Sequence, residues 1–466
     1  MSAPPHDLAI IGGGPGGYVT ALRAAQAGLR VALIERHDPG GVCLHTGCIP
    51  TKTLAAGASL LRRAQATHLP GFTLTSDTNL LSAVNLRRNE VVDQLAKGVR
   101  QLIEKNKLDL IHGTGRLISA QEIEITPHDG APYTLSRPAA LVLATGSRPA
   151  DLPGVPRDGR RILNSNDILK IEEPPRHLLI LGGGYIGCEF ASIFAQLGSQ
   201  VTLIELESRL LPGTDPDLAQ ILQRSFKRSG ITLHLGCRLE RAKTGDQVSV
   251  TLDNGDTLNG DQLLVAVGRV PNIEDLQLAN AGIELDDGAI CINDRMETTV
   301  SGIYAIGDVT GKMQLAHVAT AQGRVVVANL LDPDAHAKMD YDQVPAAIFT
   351  HPEIATIGLT PQMAEERGIP VQTGRFPFAA IGKALAEGET EGFVKLVAHA
   401  DTGRLLGGHI IGGHAAELIG QITLAVRLGA TAAQLTETIF AHPTLSEAVL
   451  EAAEGTFGQA THSVRR

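Results

Sequence analysis

Residues 8–17 read LAIIGGGPGG and residues 178–187 read LLILGGGYIG, so the chain uses one pattern twice. Each copy predicts a short buried strand, a glycine turn and a helix. A second strand follows in each copy and ends in a glutamate, Glu35 or Glu205, which stands 18 residues after the third glycine. A glycine triplet alone is weak evidence, but this whole pattern, occurring twice, predicts two dinucleotide-binding units.

The glycines and the acid of each unit have separate physical roles. The first glycine permits the tight turn, the second lets the backbone approach a pyrophosphate, and the third allows close packing of the helix, whose N-terminus faces the phosphates. The acid accepts hydrogen bonds from ribose hydroxyls. The residues assigned to these roles are Gly12, Gly14, Gly17 and Glu35 in the first unit, and Gly182, Gly184, Gly187 and Glu205 in the second.

A cysteine pair follows the first unit, in the stretch GGVCLHTGCIPTK at residues 40–52. A turn eased by Gly47 can bring Cys43 and Cys48 within the Cα separation of about 4.4–6.8 Å that a disulfide needs. Pro50 suits a first helical turn, so Cys48 is predicted at a helix N-terminus, where the dipole favours a thiolate. The alternatives are a metal half-site or two structural cysteines, but no second cysteine pair completes a metal site. We therefore predict redox chemistry and no metal.

The order of these patterns indicates which dinucleotide each unit binds. A flavin exchanges electrons with a disulfide, whereas a nicotinamide does hydride chemistry, so the first unit is predicted to bind FAD. In the second unit, the acids Glu205 and Glu207 stand where the 2′-phosphate of NADP would need arginine or lysine. The sequence therefore predicts NAD at the second unit.

Composition narrows the class of protein further. A chain of 466 residues predicts two to four domains, and a formal net charge of −10 argues against nucleic-acid binding. No run approaches the roughly 20 apolar residues of a membrane span, and the start has no apolar stretch of signal-peptide type. Five cysteines fit a reducing compartment with one functional disulfide, so we predict a cytoplasmic location. Cys188, Cys237 and Cys291 are interpreted as small buried hydrophobic residues.

Together these motifs resemble the flavin-dependent pyridine nucleotide–disulfide oxidoreductases. The string GVCLxxGCIPxK, residues 41–52, is close to the redox-active signature of that family, and the resemblance runs from about residue 7 to about residue 455. It implies an α/β fold with two Rossmann-like dinucleotide-binding domains, for FAD and NAD, and a C-terminal α+β dimerisation domain. The implied domains are residues 1–147 (FAD, first part), 148–270 (NAD), 271–342 (FAD and central, second part) and 343–466 (dimerisation).

The C-terminal part contains the candidate base. Thiol–disulfide exchange needs a group that takes a proton from the incoming dithiol, and a histidine held by a carboxylate suits this task. His442 begins HPTLSE and His351 begins HPE, and periodicity does not choose between them. The resemblance implies that His442 and Glu447 are the catalytic pair and that His351 opens the interface domain. It also implies that Cys43 exchanges with the substrate and that Cys48 lies against the flavin.

Further site residues are implied by the resemblance alone. Lys52 and Glu189 form a candidate pair near the reactive part of the flavin, where a buried lysine would stabilise negative charge. The segment YAIGD, residues 304–308, resembles a second flavin motif. Each half is expected to close with a strand and a glycine turn, at residues 140–147 and 263–269, and residues 148–156 are interpreted as a linker. Expected at FAD are Arg36, Lys52, Gly115, Thr145, Gly146, Ser147, Asp308 and Ala316, and expected at NAD are Tyr185, Ile186, Leu239, Gly268 and Arg269.

The pattern is most similar to the members of the family that oxidise dihydrolipoyl groups. This implies oxidation of protein-bound dihydrolipoyl groups to the lipoyl disulfide, with reduction of NAD⁺ to NADH. The implied partners are a second copy of the chain and lipoyl-bearing proteins of 2-oxo acid dehydrogenase or glycine-cleavage type systems. Those members usually show lysine and glutamate where Val318 and Gln322 stand, and Tyr185 and His45 are also variations on their commonest pattern.

Other functions remain as alternatives. Glutathione-type reductases usually prefer NADPH, which Glu205 opposes, and mercuric reductases carry a C-terminal cysteine pair, whereas the last cysteine here is Cys291. A flavoprotein that acts mainly as a docking subunit of a multienzyme complex is an alternative from another class. The intact set Cys43, Cys48, His442 and Glu447 argues against it, because a scaffold has no physical need for these residues.

Overall fold

In the computed structural model, which describes residues 6–66 and 80–463, the chain divides into two units. The first comprises Met1–Leu54, Ala83–Ala150 and Gly268–Met339, and the second comprises Ala55–Ser82, Asp151–Val267 and Asp340–Arg466. Parallel sheets with helices and an antiparallel C-terminal sheet confirm the predicted α/β fold class. The four predicted domains divide the chain more finely than these units, and they stay a prediction.

The first unit is built on a seven-stranded sheet. Strand Leu8–Ile11 is buried along its whole length, as expected for an apolar run in a parallel sheet. The parallel strands, in spatial order, are Ile303–Ala305, Ala140–Leu143, Leu8–Ile11, Val31–Glu35 and Asp109–Ser119, and two antiparallel strands follow, Glu122–Pro127 and Tyr133–Ser136. Helices lying wholly or partly in this unit are Pro15–Gln26, Gly41–His45, Cys48–Ala66, Leu80–Lys105 and Ala316–Leu331.

The second unit contains a parallel sheet and two antiparallel ones. The parallel sheet has the order Thr232–Leu235, Gln200–Glu205, His177–Leu181, Gln262–Val265 and Ile162–Leu163. The small antiparallel sheet is Leu239–Thr244, Val248–Leu252 and Thr257–Gly260. The five-stranded antiparallel sheet has the order Ala346–Ile348, Glu353–Gly358, Leu405–Gly412, Phe393–His399 and Val371–Pro377. The helices are Tyr185–Gln196, Pro216–Arg228, Pro361–Glu366, Gly382–Glu387, Ala415–Arg427, Ala432–Thr436 and Glu447–Gly455.

The segment interpreted as a linker is partly strand. Ser147–Pro149 pairs antiparallel with Arg269–Pro271, the stretch by which the chain returns to the first unit. A further strand pair joins Leu285–Asp286 to Ala289–Ile290. The prolines in residues 148–156 led to the linker interpretation. Strand Ser147–Pro149 forms nevertheless, because a strand at the edge of a sheet tolerates proline.

Both glycine turns have the geometry that the sequence predicts. Gly12 has φ = 105° and Gly182 has φ = 106°, values that favour glycine. A Cβ on Gly187 would lie 1.9 Å from the Gly182 carbonyl oxygen, so the third glycine is required by the close packing of its helix on the turn. A Cβ on Gly184 would meet no atom within 4 Å, so the second glycine faces open space. The turn therefore has one packed side and one side open to a ligand.

This difference between neighbouring glycines predicts different effects on folding. Gly187→Ala should reduce the free energy of unfolding by about 1–3 kcal/mol, because the added methyl group overlaps a backbone oxygen. Gly184→Ala should cost at most about 1 kcal/mol, since it changes only the preference of a helix N-cap. Denaturant unfolding of both variants checks this, and equal losses would contradict the packing described for Gly187.

Candidate active site

The redox stretch begins at the first glycine turn. The Gly40 N–H donates to the Gly13 carbonyl oxygen at 2.8 Å. A Cβ on Gly41 would lie 2.6 Å from the Gly14 Cα, so this approach of two backbone segments requires glycine. The short helix Gly41–His45, which carries Cys43, follows directly. The turn that is predicted to bind the pyrophosphate therefore also fixes the position of the first cysteine.

The structure brings the two predicted redox cysteines together. Cys48 is the first residue of helix Cys48–Ala66, and its sulfur is hydrogen-bonded to Cys43. This hydrogen bond and burial raise the pKa of the Cys43 thiol, and the positive charge of Lys52 only partly offsets them. Cys43 therefore holds its proton more firmly than an ordinary thiol does. Both cysteines are half-buried, so exposure does not separate their roles.

Asp308 lies near the cysteine pair, since its negative charge also raises the pKa of Cys43. It belongs to the 3₁₀ turn Gly307–Thr310, which follows the strand Ile303–Ala305 as the sequence predicts. Ala316 begins the next helix, Ala316–Leu331. The second predicted flavin segment is thus in the same unit as the first.

His442 and Glu447 form a hydrogen-bonded pair. The imidazole Nδ1 lies 2.8 Å from Glu447 Oε1, and the Thr444 N–H donates to Oε2 at 2.9 Å. Burial alone would raise the pKa of Glu447, but the hydrogen bonds from His442 and the Thr444 backbone hold it below its ordinary value. The carboxylate therefore stays ionised, while the imidazole is 77% exposed and can meet a substrate through Nε2.

The alternative base, His351, has a different environment. Its Nδ1 is 3.9 Å from Glu389, beyond hydrogen-bond range, and its backbone N–H donates to Ser192 Oγ at 2.9 Å. Burial, and then the charge of Arg62, lowers the pKa of His351. The arrangement of an exposed imidazole oriented by a carboxylate is thus found at His442 and not at His351.

Further residues predicted at FAD lie in the first unit. Gly115 packs on the first strand of the sheet, where an added Cβ would lie 3.1 Å from Ile11 Cδ1. Thr145 Oγ1 donates to the Asn272 carbonyl oxygen at 2.7 Å, and the Asn272 N–H donates to Gly146 O at 2.9 Å. Arg36, directly after the acid of this unit, has a half-exposed side chain.

Residues predicted at NAD occupy the second unit. Tyr185 and Ile186 are the first two residues of helix Tyr185–Gln196, and Tyr185 is exposed. Leu239 begins the strand Leu239–Thr244.

Glu189 is buried in the second unit. Its Oε1 accepts a hydrogen bond from the Phe349 N–H at 2.9 Å. Its pairing with Lys52 stays a prediction.

The turn that closes the second half follows the strand Gln262–Val265, as the sequence predicts. Gly268 and Arg269 belong to the first unit, and Arg269 Nε donates to Ser147 Oγ at 2.8 Å. Both residues follow a strand of the second sheet, and the strand pair with residues 147–149 places Arg269 beside Ser147. Their expected role at NAD stays a prediction.

Comparisons with known proteins agree with these features. Residues 6–323 match the family model for pyridine nucleotide-disulphide oxidoreductases, and residues 344–453 match the model for the dimerisation domain of those enzymes. The chain belongs to the pyridine nucleotide-disulphide oxidoreductase family.

Several members of the family are similar to this chain over nearly their full length. The chain is 42% identical over 456 residues to the dihydrolipoyl dehydrogenase of Chlamydia muridarum, with 96% of both chains covered. It is 40% identical over 473 residues to a Bacillus subtilis protein of the same name, covering 99% of this chain and all of that one. Among solved structures, LpdA from Mycobacterium tuberculosis gives a TM-score of 0.89 at 31% identity, covering 96% of this chain and 98% of that one. The HOCl-induced flavoprotein disulfide reductase RclA from Escherichia coli, as its Cu(II) complex, gives 0.87 at 32%, covering 97% and 99%.

The oxidoreductase uses FAD and NAD(H), and its residues fit both. The second glycine of each turn faces open space, with the nearest atom to a Cβ on Gly14 at 3.9 Å. Each turn is followed by a helix whose N-cap is glycine, so no side chain competes with a phosphate for its N–H groups. Glu35 and Glu205 are both buried and each accepts an N–H from its turn at 2.5 Å, which leaves further lone pairs for a ribose hydroxyl.

The remaining cysteines only partly follow the sequence interpretation. Cys188 is buried and its thiol contacts the Gly183 carbonyl oxygen at 3.2 Å, which confirms it as a small core residue. Cys237 and Cys291 are half-buried, so the interpretation of these two as buried was wrong. In the part of the chain that the structure describes, no group of three or more His, Cys, Asp or Glu side chains could hold a metal ion. Within residues 6–66 and 80–463, no helix is long and apolar enough to cross a membrane.

The structure contains two side-chain contacts that the sequence analysis did not predict. His462 Nδ1 lies 2.5 Å from Glu451 Oε1, and the His462 backbone N–H donates to Oε2, so a second imidazole is held on the helix that begins with Glu447. Gln322 Oε1 accepts the Gly307 N–H at 2.6 Å. The sequence signal for the contact of His462 with Glu451 was the spacing of Glu447 and Glu451, which is one helical turn. The contact of Gln322 with Gly307 had no sequence signal.

The contact between the cysteines predicts a pH effect that can be measured on the reduced oxidoreductase. The pKa of Cys43 is raised chiefly by Cys48, so Cys48→Ser should lower it and shift alkylation of Cys43 by iodoacetamide to lower pH. A fall of one pKa unit gives roughly ten times more thiolate at a pH below both values. Cys291→Ser, the control, should leave the alkylation profile of Cys43 unchanged. An unchanged profile in Cys48→Ser, read by peptide mass spectrometry, would contradict the contact.

Proposed function

We propose that this chain is a dihydrolipoyl dehydrogenase. The reaction converts a protein-bound dihydrolipoyl group and NAD⁺ into the lipoyl disulfide, NADH and a proton. The observation that carries the proposal is the contact between Cys43 and Cys48 directly behind the first glycine turn, in a chain that is about 40% identical to proteins of this name. FAD, when bound, passes the electron pair from the cysteines to the nicotinamide.

The cysteines are proposed to act in turn. A substrate thiolate attacks the Cys43 sulfur of the Cys43–Cys48 disulfide, forming a mixed disulfide and releasing the Cys48 thiolate. That thiolate is stabilised at the N-terminus of helix Cys48–Ala66, and Lys52 lies one turn further along the same face. The second substrate thiol then attacks the substrate sulfur of the mixed disulfide and releases the Cys43 thiolate. Over both steps the substrate disulfide forms and the Cys43–Cys48 disulfide breaks.

His442 is proposed as the base for this sequence. It takes the proton of the incoming thiol at Nε2, while Glu447 at Nδ1 fixes the tautomer and stabilises the imidazolium. The match of residues 344–453 to the dimerisation domain supports a homodimer. We further propose that lipoyl-bearing proteins are the partners and that the enzyme works in the cytoplasm. The odd number of cysteines supports the proposed location, because it fits a reducing compartment.

The proposal is tested by steady-state rates measured side by side on one preparation. Dihydrolipoamide with NAD⁺ should be the fastest pair, and glutathione disulfide with NADH or NADPH should give little turnover. Faster reduction of glutathione disulfide than oxidation of dihydrolipoamide would assign the chain to another disulfide reductase of the family. Absence of turnover with any pair, in a protein that retains FAD, would favour a docking subunit.

Glu205 is predicted to set the choice between NAD and NADP. Its buried carboxylate stands at the end of strand Gln200–Glu205, where it would repel a 2′-phosphate. Glu205→Arg should therefore raise the ratio of kcat/KM for NADP⁺ to that for NAD⁺. Glu240→Arg, an exposed acid on the strand Leu239–Thr244, adds the same charge as a control and should leave this ratio nearly unchanged. A wild-type enzyme that prefers NADP⁺ would contradict the claim that Glu205 excludes the 2′-phosphate.

His442→Gln should lower kcat by about 10²–10⁴, the usual contribution of a general base. FAD content should be unaffected, because the lesion lies outside the flavin unit. His351→Gln is the matched control, since it removes an imidazole from the same His-Pro sequence context without a carboxylate at hydrogen-bond distance. Stopped-flow rates of dihydrolipoamide oxidation check both, and a larger loss in His351→Gln would reassign the base.

A further inference from the structure

The strand pair that joins residues 147–149 to residues 269–271 has two different sides. On one side, the Arg148 guanidinium pairs with Glu274, and both side chains are about half exposed. On the other, the Arg269 side chain is only 8% exposed. A buried guanidinium needs partners for its donors, because an unpaired buried charge is strongly unfavourable. The hydrogen-bond partners of Arg269 therefore indicate its role.

Arg269 makes both of its contacts with one serine. Its Nε donates to Ser147 Oγ at 2.8 Å, and its Nη2 donates to the Ser147 carbonyl oxygen at 2.7 Å. The Ser147 hydroxyl then donates its single proton to Asp308 Oδ2 at 2.5 Å. Arg269 Nε itself is 3.9 Å from Asp308, so the serine connects the two charges. A hydroxyl can accept one hydrogen bond and donate another, which makes this order of donors the one that satisfies all three groups.

The backbone beside Asp308 is held from a different direction. The Gly307 N–H donates to Oε1 of Gln322, a fully buried side chain on helix Ala316–Leu331. Thr310 Oγ1 donates to the Gly307 carbonyl oxygen at 2.8 Å. The main chain before Asp308 is thus fixed by the helix and the turn, whereas one carboxylate oxygen is fixed by the strand pair. Oδ1 can still accept a hydrogen bond from a ligand hydroxyl.

We infer that Ser147 and Arg269 are positioning residues for Asp308, and that Arg269 serves the flavin site and not the nicotinamide site. This inference rests on the proposed flavin-dependent function. We call the hydrogen-bonded chain Arg269–Ser147–Asp308 the relay. It fixes the orientation of the Asp308 carboxylate and places a positive charge near it, while the Arg269 donors are occupied by Ser147. FAD retention therefore depends on a residue that reaches FAD only through Asp308. Hydrogen bonds in such a buried chain support one another, so loss of either relay residue weakens the same contact.

The test measures how fast FAD leaves the holoenzyme in mild urea, followed by the rise in flavin fluorescence. Ser147→Ala and Arg269→Met should each speed FAD release by about ten- to a hundredfold, the range for a lost hydrogen bond to a charged group. Arg148→Met is the matched control, because it removes a guanidinium from the exposed side of the same strand pair. Its release rate should stay within about threefold of wild type.

Two further measurements separate positioning from general destabilisation. In an Asp308→Asn background, Arg269→Met should change FAD release by less than about threefold, because the group it positions has lost its charge. The dissociation constant for NADH should be the same in Arg269→Met and wild type. Equal acceleration in both backgrounds, or weaker NADH binding with unchanged FAD release, would overturn the inference. If Arg269→Met does not fold, Ser147→Ala alone gives the same comparison.

These outcomes are independent of the proposed reaction. FAD release is measured without substrate, so a wild-type enzyme that fails to oxidise dihydrolipoamide would contradict the proposed function and leave the relay standing. A wild-type enzyme that turns over normally, with FAD release unchanged in Ser147→Ala and Arg269→Met, would contradict the relay alone.

Discussion

The hydrogen bond between each glycine turn and the acid that ends the next strand is the interaction on which the rest of the structure depends. Gly13 N–H to Glu35 and Gly183 N–H to Glu205 are equivalent bonds in the two units, both made by buried carboxylates. Each holds the turn open toward a dinucleotide while the third glycine closes its other side. In the first unit the Gly13 carbonyl oxygen also receives the Gly40 N–H, so the same turn positions the cysteine pair. Electron transfer between a disulfide and a flavin needs that proximity.

Much of this was predictable because the signals are local. Strand, turn, helix and acid follow one another within about thirty residues, and each glycine has a separate steric reason. The helix N-terminus at Cys48 was predictable from Pro50 for the same reason. What sequence could not supply are contacts between distant segments. Nothing near Arg269 shows that it meets Ser147, and only the resemblance distinguished His442 from His351.

The residues of the proposed reaction are divided between the two units of the chain. The first holds Cys43, Cys48 and Asp308, and the second holds His442 with Glu447. The surroundings of each group shift its pKa. The pKa of Cys43 is raised, which favours its protonated form, and the pKa of Glu447 is lowered, which keeps its carboxylate ionised. Residues 344–453 of the second unit match the dimerisation domain, and we propose that each disulfide takes its base from the partner subunit. On this proposal, a symmetric dimer would have two composite sites.

The most direct measurement of this claim mixes Cys43→Ser chains with His442→Gln chains and assays the purified mixed dimer. If base and disulfide act across the interface, one site carries both lesions and the other is intact. About half of the wild-type activity per dimer should then return. A mixed dimer as inactive as either parent would place His442 and Cys43 in the same subunit's site and contradict the composite mechanism.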